Sequence, residues 1–150
     1  MSLEPDDARA AFGSARVSPQ RRAIVGAARS LTRAFTVDEL AETTRARDSS
    51  AGTATVYRAV AALEASGWLE QVGKRGESAL YARCPGTDHH HHHVICEGCG
   101  RIEVAECPVE LRDSEPHDLA VDPGGFLITR HEVTMYGYCP QCAASRRKGA

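Results

Sequence analysis

The sequence predicts an α+β chain in two parts: an N-terminal winged helix-turn-helix and a small C-terminal α/β dimerisation domain. Three observations lead there. Residues 1–84 carry three helix signals followed by a hairpin; Pro85-Gly86-Thr87-Asp88 reads as a hinge over residues 85–88; and residues 89–150 hold five consecutive histidines (His89 to His93) and two C-x-x-C pairs. At 150 residues, with 42% hydrophobic and 25% charged, the chain is long enough and mixed enough to bury a core.

Residues 1–14 are expected to be a flexible arm. Ser18-Pro19 places a serine at the N-cap and a proline at the first helical position, opening a helix to about Phe35. Thr36-Val37-Asp38-Glu39 has the spacing of a capping box and starts a short helix, Val37 to about Arg47, with Val37, Leu40 and Ala41 on its apolar face. A third helix, about Gly52 to Ser66, carries Val56, Ala59, Val60 and Leu63 at helical spacing and ends at Gly67. Strands at 68–72 and 79–83 flank the turn-rich Gly73-Lys74-Arg75-Gly76-Glu77, giving a hairpin with a basic tip. Beyond the hinge, 89–95 and 101–104 read as strands around the first C-x-x-C pair, 108–119 as a short helix, and 126–136 as a long strand leading to the second pair. Trp68, Tyr81 and Phe126 are expected in the core, and Arg146-Arg147-Lys148 in a solvated tail.

The charge is uneven. Residues 1–84 carry 12 Lys/Arg against 10 Asp/Glu, and residues 85–150 carry 6 against 10. A basic half beside an acidic, Cys/His-rich half suggests nucleic acid for one and metal for the other. In the basic half, the start of the third helix presents Ser50, Thr53, Thr55, Tyr57 and Arg58, side chains able to meet base edges and phosphates, while Lys74 and Arg75 at the hairpin are placed to reach the flanking backbone. No apolar run approaches the ~20 residues of a membrane span. The acidic N-terminus lacks a signal-peptide core, so a reducing cytoplasm is expected, and there C-x-x-C pairs point to metal before disulfides.

Cys96, Cys99, Cys139 and Cys142 form a soft four-sulfur set that selects zinc over hard cations; with no open position it is structural. The histidine run is internal and abuts a strand signal. In extended chain His91 and His93 face one side and His90 and His92 the other, so one run can supply two metal sites. Cys107 reads as a spare thiol and His117 as a surface residue.

Ala54-Thr55-Val56-Tyr57-Arg58, Gly67, Tyr81, the histidine run and the two C-x-x-C pairs together resemble the ferric uptake regulator (Fur) family of metal-dependent repressors, over about residues 15–145. The resemblance implies a winged helix joined by a hinge to a dimerisation domain, with Tyr57 and Arg58 contacting DNA. The chain is most similar to the zinc uptake regulator (Zur) branch. That likeness implies a regulatory zinc site of Glu70, Cys84, His91 and His93, and an additional site of His90, His92, Glu110 and His131. The sequence departs from that branch in three places: Glu70 stands where Asp is usual, the spacing from Cys84 to the histidines is longer, and the segment from Cys99 to Glu110 is a residue shorter, which leaves Glu103 and Glu106 as alternatives to Glu110.

The implied function is a homodimeric, zinc-responsive repressor of zinc-uptake genes, with structural and regulatory Zn2+ and a palindromic double-stranded operator as partner. No small-molecule substrate or membrane is implied. A relative sensing iron, manganese, nickel or peroxide is the alternative, and those sensors use nitrogen and oxygen ligands, so Cys84 discriminates. A hydrolytic zinc enzyme needs an open metal position and a general base, and neither H-E-x-x-H nor H-x-E…P-C-x-x-C occurs, so the chain is not expected to be an enzyme. A zinc-buffering protein would differ by not binding an operator.

Overall fold

The computed structural model describes residues 5–13, 16–83, 91–106, 124 and 133–148. The hinge at 85–88, the helix expected at 108–119, Phe126, Cys107, His117 and most of the strand expected at 126–136 lie outside the described residues.

The N-terminal half is built from helices α1 (Pro5–Phe12), α2 (Pro19–Ser30), α3 (Val37–Arg45) and α4 (Thr53–Ala65). The expectation of an arm at 1–14 is corrected by α1. Ala8 and Ala11 are buried against the other helices, Asp7 pairs with Arg29, and the Ser66 hydroxyl donates to the Ala11 carbonyl at 2.7 Å. Two alanines among charged neighbours gave little apolar contrast, although small side chains are what allow close helix approach. Ser18 caps α2 through the Arg21 amide. α2 stops at Ser30, short of the expected Phe35, because Phe35 makes a strand-like bridge to the hairpin: its N–H donates to Tyr81 O at 2.9 Å and its carbonyl accepts from Tyr81 N at 2.8 Å.

The capping box forms as the sequence predicts. The Glu39 amide donates to Thr36 Oγ1, and Glu39 Oε2 accepts from the Thr36 amide at 2.8 Å. Glu39 also accepts from Arg33 at 2.8 Å and Arg75 at 3.2 Å, which ties α3 to the hairpin. Burial by itself would raise its pKa, but the Thr36 amide and the two guanidinium groups outweigh that and hold it below the usual glutamate value. α4 buries Val56, Ala59, Val60 and Leu63, and Gly67, at φ 72°, ends it. Ile24, Val25, Phe35, Leu40, Leu63 and Leu69 complete the main core.

The hairpin pairs β1 (Glu70–Arg75) with β2 (Ser78–Ala82) around the turn Gly76-Glu77, where Gly76 has φ 59°. Lys74 and Arg75 therefore belong to the strand, not the tip. The register shifts between Gln71 and Gly73, so Val72 sits at a bulge with its side chain buried. The Arg83 guanidinium lies over the Trp68 ring, 5.2 Å from its centroid. Trp68 and Tyr81 pack partly buried on the main core.

In the C-terminal half, β3 (His91–Cys96) lies between β4 (Ile102–Glu106), antiparallel, and β5 (Thr134–Gly137), parallel. Helix α5 (Pro140–Lys148) follows and buries none of its residues. The expected basic tail is its last turn, where cations suit the helix C-terminus. A second, smaller core joins the halves: Ala34, Val72, Leu80 and Ala82 pack with Ile95 and Ile102.

Glu39→Gln is expected to remove the charge from all three contacts and cost the N-terminal half about 1–2 kcal/mol near neutral pH. Because the folded-state pKa of Glu39 is depressed, its contribution is whole above the ordinary glutamate range and disappears as pH falls through the folded value. The gap between wild type and variant in urea unfolding should therefore close on acidification.

Candidate metal centres and nucleic-acid face

β3 delivers Cys96 to a tight turn in which Gly100 N donates back to Cys96 O and Cys96 N to Arg101 O, each at 2.8 Å; Gly100 adopts φ 74°. The second pair brackets the start of α5, with Cys139 just before it and Cys142 in its first turn. The two turns interlock at Gly98, where a Cβ would lie 2.9 Å from Cys142 Sγ. All four sulfurs fall within 4.8 Å of one another, and Cys99 and Cys139 stand 3.9 Å apart. Tetrahedral ligation at about 2.3 Å per sulfur puts sulfurs about 3.8 Å apart, so the set fits a four-thiolate metal ion.

The thiols also show what such an ion would relieve. The Cys139 amide, donating to Cys96 Sγ at 3.3 Å, pulls Cys96 down to about 6, whereas hydrogen bonds with Cys139, Cys96 and Cys99 push Cys142 up to about 12. One thiolate forms readily and opposes its neighbours; a divalent cation would let all four ionise.

The second cluster spans the two halves. Glu70 opens β1, and His91 and His93 alternate along β3 so that both rings reach it. Glu70 Oε2 stands 3.3 Å from His91 Nε2 and 3.6 Å from His93 Nε2, and the rings meet edge-on at 4.9 Å. The three ligand atoms lie within 4.8 Å of one another. Desolvation lowers the His93 pKa, and His91 adds to this against the attraction of Glu70, so the imidazole favours its neutral, ligating form. The cluster fits a cation with two nitrogens and a carboxylate. Cys84, expected as its fourth ligand, lies outside the described residues.

His92 turns to the opposite face, as the alternation predicts. It is buried, and its Nδ1 accepts from the Val133 amide at 3.2 Å. His90, Glu110 and His131 lie outside the described residues. Of the alternatives to Glu110, Glu103 is exposed and held by Arg101 Nε at 2.7 Å, and Glu106 is the ladder partner of His91.

On α4 the face opposite the core presents Thr53, Thr55, Tyr57 and Arg58. Tyr57 is half exposed and donates to Asp38 at 3.3 Å; Arg58 Nη2 lies 3.4 Å from Thr55 Oγ1. The negative charge of Asp38 raises the pKa of the Tyr57 phenol above its ordinary value. Lys74 and Arg75 sit elsewhere, in a cleft of about 660 Å³ shared with Arg33, Cys99, Gly100 and Tyr136, and Arg75 is engaged by Glu39. The Glu39 anchor and the Asp38–Tyr57 pair were not foreseen as features of this face. Only the capping-box glutamate gave a signal in the sequence, and it named the local partner alone.

A sequence profile of the ferric uptake regulator family matches residues 13–136. The chain belongs to the ferric uptake regulator family. It is 36% identical over 90 residues to the transcriptional regulator FurA of Mycobacterium tuberculosis, a match covering 60% of this chain and 58% of FurA, so the likeness to FurA takes in little more than half of that protein. The zinc uptake regulation protein of the same organism is 31% identical over 128 residues, covering 85% of this chain and 94% of that protein. Among solved structures, a zinc uptake regulator complexed with zinc and DNA superimposes with TM-score 0.67 at 23% identity, covering 88% of this chain and 86% of that one. The Francisella tularensis ferric uptake regulator with iron gives TM-score 0.60 at 23% identity, covering 88% and 96%. These two establish a shared α+β fold. No helix among the described residues is long and apolar enough to cross a membrane.

Cys142→Ser is expected to cost the protein one tightly held metal ion per chain and to loosen residues 91–148 while α2, α3 and α4 stay helical. Metal released on thiol modification, together with amide exchange in the two halves, checks this.

Proposed function

We propose that this Fur-family chain is a zinc-responsive transcriptional repressor and not an enzyme, acting in the cytoplasm as a homodimer on palindromic operator DNA that controls zinc-uptake genes. The observation that carries the proposal is the convergence of Glu70, from the DNA-binding half, with His91 and His93, from the other half. A ligand set drawn from both halves makes their relative orientation depend on whether the site is filled. A zinc uptake regulation protein is matched over most of both chains at 31% identity, and a peroxide-responsive repressor of Staphylococcus epidermidis over 85% of this chain and 81% of that protein at 29%. A Cys84 thiolate completing the set, as the resemblance implies, would favour zinc over iron or manganese.

The regulatory site is assigned to Glu70, Cys84, His91 and His93, and the structural zinc to Cys96, Cys99, Cys139 and Cys142. When bound, zinc supplies a cross-link between the halves. Glu70 and the two imidazoles would then hold β1 against β3, and the Phe35–Tyr81 bridge ties the hairpin to the segment between α2 and α3. In a two-fold dimer this sets the spacing of the two recognition helices against operator half-sites. Thr53, Thr55, Tyr57 and Arg58 make the contacts in the groove; Lys74 and Arg75 contact flanking phosphates, Arg75 only on leaving Glu39. Zinc and operator therefore raise each other's affinity.

The additional site, His90, His92, Glu110 and His131, is assigned the weaker affinity. A His92 ring that accepts the Val133 amide at Nδ1 carries its proton on Nε2, so ligation there costs that bond. The second reading, an iron or peroxide sensor, draws on the likeness to FurA and requires Cys84 to be dispensable.

Fluorescence anisotropy of an inverted-repeat operator across buffered free Zn(II), Fe(II), Mn(II) and Ni(II) tests the proposal. Binding that tightens by about 5- to 150-fold as free zinc rises is the expected outcome, and stronger activation by iron would move the chain to the second reading. His91→Ala and Cys84→Ser should each abolish the zinc response while leaving the four-cysteine metal in place. A Cys84→Ser protein with wild-type response would sink the hinge mechanism.

A further inference from the structure

The edge of the hairpin meets β5 at a point that none of the metal ligands occupies. In the antiparallel ladder Lys74 stands at a position whose amide points away from β2, where an edge strand normally leaves it to water. Here that N–H donates to the Tyr136 hydroxyl at 2.9 Å. Two residues earlier, the carbonyl of the bulged Val72 accepts from Thr134 Oγ1, also at 2.9 Å. Thr134 and Tyr136 are alternate residues of β5, so both point the same way and straddle Gly73.

Gly73 is the notch that lets them in. A Cβ there would lie 2.5 Å from Tyr136 Oη, 2.9 Å from Ile95 Cδ1 and 3.2 Å from Thr134 Cγ2. Its backbone is not among the positive-φ glycines, so alanine suits the strand itself, and the obstruction falls on the contact between halves. That contact adjoins the metal cluster on both sides: Val72 follows Glu70 by two residues, and Thr134 pairs with His93 across the parallel ladder.

We propose that Thr134 and Tyr136 form a clasp on the hairpin at Gly73, able to close the two halves before metal binds, and that these three residues are positioning residues for the regulatory site and for the strand bearing Lys74. Its metal-binding part rests on the regulatory site proposed above. The clasp keeps Glu70 near His91 and His93 before an ion arrives, so apparent affinity at that site scales with the clasped fraction. It also fixes the backbone of Lys74, which places the hairpin's basic residues in the same step that assembles the ligands.

The Lys74 amide reads the clasp directly, because its exchange with deuterium requires loss of the Tyr136 bond. The test uses the full chain with its four-cysteine metal retained and the regulatory metal chelated. Tyr136→Phe, which removes one neutral hydrogen bond, is expected to speed Lys74 exchange about 2- to 10-fold. Gly73→Ala, which overpacks the notch, should speed it about 5- to 150-fold. Amides of α2, α3 and α4 should keep their rates. In the double variant the loss should be less than additive, since the alanine then has no hydroxyl to displace. Zinc affinity at the regulatory site should fall by the same factor as the clasped population, with the four-cysteine metal unaffected.

Wild-type Lys74 exchange in both single variants would overturn the clasp, even if zinc-dependent operator binding stood. Accelerated exchange in a protein whose operator binding ignores zinc would leave the clasp standing and remove the zinc-sensing reading. Should Gly73→Ala fail to fold, Thr134→Val takes its place: it removes the bond to the Val72 carbonyl and keeps the Tyr136 hydroxyl, so faster Lys74 exchange is expected and an unchanged rate would overturn the clasp.

Discussion

A metal ion held by four sulfurs that lie within 4.8 Å of one another would tie together β3, the turn into β4 and the start of α5. Among the described residues of 91–148, Ile95 and Cys96 are the only buried apolar side chains, and α5 buries nothing. Among the described residues, apolar burial on that scale adds little to fixing three short strands and a helix. A metal-filled cysteine cluster would do so by geometry: it would anchor the end of β3, set the turn into β4, and fix where β5 passes into α5. The register of β3 decides which histidines face Glu70, and the register of β5 decides that Thr134 and Tyr136 face the hairpin. Both would then depend on the same four side chains.

The hairpin is the other shared part. Its Tyr81 is bridged to Phe35 of the helical half, while its Val72 and Leu80 pack with Ile95 of the sheet. Its charged end is neutralised by Glu39, at the N-terminus of α3, where the helix dipole also favours a carboxylate. A small two-stranded element thus carries polar bonds and apolar contacts to both neighbours. Disturbing it would be felt in both halves, and its first residue, Glu70, stands where His91 and His93 of the other half reach it.

Much of this was legible in the sequence, and the parts that were not share a cause. Caps and periodic faces are local, so Ser18, the Thr36–Glu39 box, the apolar face of α4 and the alternation of His91 and His93 all emerge as the residue pattern implies. The C-x-x-C spacing likewise encodes its own turn chemistry. What escaped depends on partners distant in sequence. α2 ends early because Phe35 pairs with Tyr81. Gly73 read as a turn glycine because its neighbours are basic and small, whereas its role is set by Tyr136. Lys74 and Arg75 read as a hairpin tip because Gly73 and Gly76 both punctuate the chain, and only the tertiary fit at Gly73 decides between them. α1 was hidden because alanine contributes little apolar contrast.

The stack of Arg83 on Trp68 lies where the hairpin gives way to the segment joining the two halves. Trp68 is the sole tryptophan of the chain. It sits two residues before Glu70, and its cationic neighbour directly precedes Cys84. Indole emission depends on the charge and polarity close to the ring, so the wild-type protein has a single optical probe at the junction between its halves. The proposed opening and closing could then be followed by intrinsic fluorescence, with no dye attached to any of the six cysteines.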